Sequence, residues 1–217
     1  MTTAAIDADV LLKTACYGLL EKTRASLESC RVTPAALGMS RFTVRARLSK
    51  RGCCSDSAGA LKSFDVFLEA AEILEPSDGE AELAAEIEAI AQQAAASLDG
   101  GESQLAAIVL SRSMHALITG DKRATRAFAR IRHDLPILKS LDGLVYCLEQ
   151  VLLLLLKCLP AEEVRDCVCR EPHVDSALTN SFSCRSGLGS AEEWAAGLRS
   201  YIDSLRSESP GVLSAVS

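Results

Sequence analysis

Aromatic residues are scarce in this 217-residue chain, with one Trp, three Tyr and five Phe making up 4% of it. Strand-rich sandwiches draw on aromatic and β-branched side chains, so a core of Leu, Ala, Val and Ile points instead to close-packed helices. Contiguous catalytic motifs are missing as well. The chain has no Gly-rich phosphate loop, no His-Glu-x-x-His, no Gly-x-Ser-x-Gly and no kinase-like signature. Among three His and nine Cys, nothing selects a nucleophile–base pair. His115 and His133 have no acid placed to activate them. The expectation is therefore a protein that is not an enzyme and needs no cofactor.

A long hydrophobic run is also lacking. A membrane-spanning helix needs roughly 20 apolar residues. The longest uninterrupted stretch is the six residues Val151–Leu156, with Glu149 and Gln150 directly before it. No basic cluster flanks it, so no membrane span is expected. The start, MTTAAIDADVLLKTA, carries Asp7 and Asp9 and no early arginine, unlike a secretory signal or a transit peptide. The end, GVLSAVS, matches no lipidation signal. An odd count of nine cysteines without a signal peptide argues against a secreted disulfide scaffold. Free thiols in a reducing compartment, cytoplasmic or nuclear, are the expectation.

What is present is organised around Leu141–Leu159. Read as a helix, its polar positions Asp142, Glu149, Gln150 and Lys157 recur every seven or eight residues and form one narrow wet stripe. A helix otherwise apolar all round must be wrapped by other elements. The periodicity predicts further helices over Asp7–Ser29, Ser40–Lys50, Ala60–Leu74, Glu80–Leu98, Gln104–Ile118, Lys122–His133 and Ala161–Arg170. Ser190 caps a last amphipathic helix carrying Trp194, Leu198, Tyr201, Ile202 and Leu205. The predicted architecture is all-α. It is a single bundle of about eight or nine helices over residues 1–206 around the central helix 141–159. Residues 1–52 form a possible helical subdomain, and 207–217 a disordered tail.

Charge is segregated along the chain although the net value is only -6. From Arg31 to Arg51 there are six positive residues with no acid between Glu28 and Asp56. Thr33-Pro34 reads as a cap and first helical position, closed by Gly38. The segment Leu37-Gly38-Met39-Ser40-Arg41-Phe42-Thr43-Val44-Arg45-Ala46-Arg47-Leu48 resembles the turn and recognition helix of helix-turn-helix proteins. That resemblance implies nucleic-acid contacts by Arg41, Arg45, Arg47, Lys50 and Arg51. It covers about a dozen residues and departs from the family at Pro34, where the first helix should be continuous. From Asp65 to Glu102 there follow eleven acids and no Lys or Arg. This run either pairs with the basic stretches Arg31–Arg51 and Arg112–Lys139 or offers a dock to a basic partner. A hydrophobic helix wrapped by amphipathic ones also resembles the architecture of Bcl-2-like folds, without their Asn-Trp-Gly-Arg motif.

Cys167, Cys169, His173 and Cys184 offer three thiols and an imidazole, but a Cys-x-Cys pair on a helix points its thiols apart, and no metal is expected. The expected function is a non-enzymatic protein–protein interaction module, an adaptor or a subunit of a larger assembly, with Trp194, Leu198 and Tyr201 as contact residues. The alternative is a nucleic-acid-binding regulator using the basic segment at 33–51.

Overall fold

The computed structural model describes residues 2–215, and the fold is α/β, which corrects the all-α expectation. Among the described residues there are five short strands: β1 (Thr2–Ile6), β2 (Val32–Leu37), β3 (Glu72–Leu74), β4 (Ala116–Thr119) and β5 (Val145–Cys147). They form one parallel sheet in the order β3-β2-β1-β4-β5. Between β1 and β2 run α1 (Ala8–Cys16) and α2 (Leu20–Ser29), and between β2 and β3 run α3 (Ser40–Leu48) and α4 (Ser57–Ala70). The hairpin of α5 (Asp78–Gln93) and α6 (Gly100–Ser111) carries the chain back to β4, and α7 (Lys122–Ile131) leads to β5. Right-handed crossovers put α1–α4 on one face of the sheet and α5–α7 on the other. After β5 come α8 (Leu148–Cys158), α9 (Ala161–Arg170), α10 (Ser176–Ser181) and α11 (Ala191–Glu208). α8 packs beside α2, and α11 packs on α8.

The strands escape periodicity for a physical reason. A strand covered on both faces shows no apolar–polar alternation, and the two longest strands each carry an Ala-Ala pair, Ala4-Ala5 and Ala35-Ala36, of a residue that favours helix. Ala4, Ala5, Ala35 and Ala36 are completely buried. Three strands also abut helices almost without a break, so a strand and a helix read as one run. Ala60–Leu74 divides into α4 and β3. Gln104–Ile118 divides where Ser113, at φ 50°, turns the chain out of α6 toward β4. Leu141–Leu159 divides into the end of a 3-10 turn (Pro136–Leu141), β5 and α8, with Cys147 capping α8 directly at the end of β5.

Proline at position 34 is compatible with the sheet because of its register. Thr2 N–H donates to Arg31 O and Gly38 N–H donates to Leu74 O, so even-numbered residues of β2 turn their amides toward β3. The N–H that Pro34 lacks points there, one residue before β3 begins pairing at Ala35. The same fact corrects the helix-turn-helix resemblance. α3 exists, but a buried strand stands where the motif's first helix should be.

α8 is central in the sense expected, with Leu152 and Leu155 fully buried. The stripe expected to be wet is wet only at its ends: Asp142 and Lys157 are exposed, whereas Glu149 is 2% exposed and pairs with Lys122 at 2.6 Å, and Gln150 is 6% exposed. At the C-terminus, Val212 and Leu213 are buried, and Ser214 N–H donates to Val145 O at 2.7 Å. No helix among the described residues is long and apolar enough to cross a membrane.

Candidate functional site

In an open parallel sheet, the crevice outside the strand C-termini is widest where the winding direction reverses. In the order β3-β2-β1-β4-β5 that point lies between β1 and β4. The residues leaving those two strands are Asp7 after β1 and Gly120-Asp121 after β4. Asp7 N–H donates to Ile118 O at 2.9 Å, and Thr119 Oγ1 donates to the Asp7 carboxylate at 3.3 Å. The two strand ends are thus bound to each other through the aspartate. Asp9 follows in the first turn of α1 and lies against Gly120, where a Cβ would stand 2.4 Å from Asp9 Oδ2. Glycine at 120 is what lets that carboxylate approach the end of β4.

The third segment is the start of α6. Asp99 and Glu102 form a reciprocal capping box. Glu102 N–H donates to Asp99 Oδ1 and Asp99 N–H to Glu102 Oε2, both at 2.9 Å. Asp121 caps α7 and accepts from Arg123 N–H at 2.7 Å.

Two of these five carboxylates, Asp7 and Glu102, are perturbed by the charges of the others. Burial first, then Asp9 and Asp99, pushes Asp7 up to about 6. Burial first, then Asp99, Asp121 and Asp7, pushes Glu102 up to about 8. Burial works the same way on Asp121, but the Arg123 side chain and backbone outweigh it and hold that carboxyl below its ordinary value. Asp9 is paired with Lys13 at 2.7 Å and lies 3.8 Å from Arg47. Lys13 also reaches Asp175 at 2.9 Å. As the chain stands, no three His, Cys, Asp or Glu groups among the described residues converge at metal-holding distance. The cluster is partly neutralised by its own cations and partly by retained protons.

Geometry excludes one common use of such a crevice. Dinucleotide-binding sheets place a Gly-rich loop after β1 so that backbone N–H groups can meet a pyrophosphate. Here Asp7-Ala8-Asp9 puts two carboxylates at that place, and like charge repels phosphate that no cation bridges.

The basic segment borders the same edge, because α3 starts at the C-terminal end of β2. Arg41, Arg45, Arg47, Lys50 and Arg51 are all exposed. Arg41 lies 3.6 Å from Glu75, and Arg45 pairs with Asp65 at 2.7 Å. Phe42 is 68% exposed with the Arg41 guanidinium over its ring. The structure therefore joins the arginine-rich segment to the acidic crevice through Arg47.

The other expected contact residues lie elsewhere. Trp194 and Leu198 are buried, at 4% and 0% exposure, packed with α8 and α10. Tyr201 is half-buried beneath the Lys122 ammonium, 4.8 Å from its ring centre. Cys169 and Cys184 are joined by a disulfide, Cys167 is a free buried thiol, and His173 Nε2 lies 3.1 Å from Cys53 O.

Sequence reading passed over Asp7, Asp9, Asp99, Glu102 and Asp121 as caps, turn residues and members of an acidic run. One signal was available: Asp7 and Asp121 each follow a short apolar run, Ala4–Ile6 and Ala116–Ile118, within a few residues. No family model matches this chain, and comparison with curated proteins and with solved structures likewise gives no match.

Proposed function

We propose that the protein is a divalent-cation-dependent hydrolase of phosphodiester bonds in nucleic acid. Asp7, Asp9, Asp99, Glu102 and Asp121 hold the ion, and α3 holds the strand. The observation that carries this reading is that Asp7 and Asp121 leave the two strands flanking the switch point, and Asp9 lies against Gly120 beside them. Asp99 and Glu102 are near enough for their charges to be felt there, although no three of these groups yet stand at metal-holding distance. Oxygen-only donors suit Mg²⁺ or Mn²⁺, which bind through one or two carboxylates plus substrate phosphate. When bound, such an ion supplies polarisation of a phosphoryl oxygen and activation of water.

The chain's own groups have distinct tasks in this reading. Glu102 gives up a retained proton as a cation enters, and Asp7 is relieved of the like charges around it. Lys13 and Arg123 release Asp9 and Asp121 and remain close by, where they can meet phosphate. Thr119 fixes the Asp7 carboxylate. Arg41, Arg45, Arg47, Lys50 and Arg51 meet backbone phosphates, their surface ion pairs being weak enough to exchange. Exposed Phe42 offers a face on which a base can stack. The expectation of a non-enzymatic adaptor rested on the lack of catalytic motifs, the segregated charge and the amphipathic Trp194–Leu205 helix. A site gathered from residues 7–9, 99–102 and 121 has no contiguous motif, and Trp194 and Leu198 are buried.

The test is incubation with end-labelled single-stranded RNA, single-stranded DNA and duplex in Mn²⁺, Mg²⁺ or EDTA, with Mn²⁺ binding followed by calorimetry. Cleavage only with cation is expected. Asp7→Asn and Asp121→Asn should each lower it by about two orders of magnitude, the scale seen when a group supporting a metal is lost. Arg45→Glu/Arg47→Glu should weaken strand binding and flatten its salt dependence while leaving Mn²⁺ affinity intact. Neither Mn²⁺ binding nor cation-dependent cleavage by the wild type would overturn the reading.

A further inference from the structure

Two cysteines meet at the C-terminal end of α1. Cys16 ends α1, and its sulfur stands 3.7 Å from that of Cys53 in the loop between α3 and α4. Cys54 follows and is itself buried. A cleft of about 250 Å³, lined by Cys16, Ser55, Cys167 and Glu171 among others, opens here. Cys53 is half-exposed, whereas Cys16 is buried.

The loop is pinned from both sides. Ser55 N–H donates to Glu171 Oε1 at 2.8 Å, and His173 Nε2 sits 3.1 Å from Cys53 O. Gly52, at φ 80°, supplies the left-handed turn that brings the loop back toward α1. The two sulfurs stand 3.7 Å apart, and a disulfide brings them to about 2.05 Å. Burial, and then the nearby Cys54 and Cys53, pushes the Cys16 thiol up. Burial makes Cys16 the less accessible of the two to a peroxide, and its place 3.7 Å from the Cys53 sulfur makes it the nearest partner for that sulfur once oxidised. No three Cys, His, Asp or Glu groups converge at metal-holding distance among the described residues, so the thiols are not poised as a metal site.

We propose that Cys16 and Cys53 are a reversible redox modification site that closes to a disulfide on exposure to a hydroperoxide. The half-exposed Cys53 sulfur attacks the terminal peroxide oxygen. The O–O bond breaks, the alcohol departs with one proton, and Cys53 becomes a sulfenic acid. Cys16 sulfur then attacks the Cys53 sulfur. The S–S bond forms, the S–O bond breaks, and the hydroxyl leaves as water with the Cys16 proton. Two thiols are oxidised by two electrons and one hydroperoxide is reduced, and a dithiol reductant reverses the change. The site stands on the sulfur geometry alone and is independent of the cation reading.

The experiment treats the 217-residue chain with a few equivalents of hydrogen peroxide, blocks remaining thiols with N-ethylmaleimide, and maps tryptic peptides without reduction. Expected is a cross-link between the peptide spanning 14–22, which holds Cys16, and that spanning 52–62, which holds Cys53 and Cys54. It should vanish on dithiothreitol treatment, vanish in Cys53→Ser and persist in Cys54→Ser. The oxidised wild type should also melt at a higher temperature than the reduced protein, a difference absent from Cys53→Ser. Cys16 recovered as its maleimide adduct after peroxide, or a cross-link that survives in Cys53→Ser and disappears in Cys54→Ser, overturns the assignment.

Discussion

At the scale of single residues, the unusual expense is at Asp7 and Glu102. Both are buried acids, at 8% and 6% exposure, held near others of the same sign. Their folded values lie above their ordinary ones: Asp7 moves from 3.8 to about 6 and Glu102 from 4.5 to about 8. In that window the folded state holds protons that the unfolded state has already released. The sign follows: stability contributed below the ordinary carboxylate range is lost as pH rises from about 4 through about 8. Urea titrations in EDTA at pH 5, 6, 7 and 8 should show the midpoint falling steadily. Asp7→Asn removes one like charge and keeps an oxygen to accept from Thr119. It should stabilise the protein at pH 7 by an amount on the order of 1–3 kcal/mol while removing any cation-induced rise in Tm. A midpoint lowered by Asp7→Asn at pH 7 would show that the aspartate is structural and not strained. A gain in stability paired with a loss of cation response is the pattern expected of a functional carboxylate.

At the scale of elements, the clearest dependence is that of α5 on α6. Glu80, 5% exposed, accepts from Arg112 Nε at 2.7 Å and Nη2 at 2.8 Å, and also from Ser77 N–H at 2.8 Å as the capping box of α5. Arg112 stands just past the end of α6 and reaches Glu75 O as well. The Arg112 hydrogen bonds, working against burial, hold Glu80 down to about 2. Its contribution is therefore full above the ordinary glutamate value of 4.5 and lost as pH falls through about 2. Arg112→Ala leaves a buried carboxylate with only its cap. The expected cost is about 2–3 kcal/mol at pH 7, below the range for fully buried pairs because the guanidinium is 37% exposed. The mutant's loss should shrink when chemical denaturation is repeated at pH 3, and an equal loss at both pH values would assign the effect to packing. This pair also shows what sequence could reveal. The acidic run Asp65–Glu102 and the two basic stretches were legible as complementary, and Arg112–Glu80, Arg45–Asp65 and Arg41–Glu75 join them. Most helices were legible too, α3, α9 and α11 nearly to the residue. The strands were not, since segments of three to six residues are too short to set a period, and the largely buried β1, β2 and β4 carry no alternation once both faces are covered. With the strands unseen, Asp7 and Asp121 had no common edge to share, and the site stayed invisible.

At the scale of the whole molecule, the sheet has two edges, and the chain treats them differently. β3 is short and carries the exposed Ile73. β5 is covered by the returning C-terminal segment: Gly143 N–H donates to Gly211 O at 2.9 Å, Ser214 N–H to Val145 O at 2.7 Å, and Val145 forms a parallel bridge with Leu213. Gln150 Nε2 adds a hydrogen bond to Ser214 O at 3.1 Å. An edge strand left open presents unpaired backbone groups to any other chain. The segment after α11 therefore serves as the edge cover of β5 and, through Val212 and Leu213, completes the core beside α8. Ending the chain after Glu208 exposes Val145 and removes two buried apolar side chains, each contributing roughly 1.5–3 kcal/mol. The expected result is a total loss on the order of 3–6 kcal/mol, read as a lowered urea midpoint, together with concentration-dependent light scattering on heating from the newly open strand. A variant with Val212→Ala and Leu213→Ala keeps the backbone cover while deleting most of the apolar contribution. It should lose stability without gaining the scattering. If it scatters as the truncated chain does, burial and not edge pairing is what keeps the sheet closed. If neither variant changes the midpoint, the folded core ends at α11 and the segment is an adornment of the sheet.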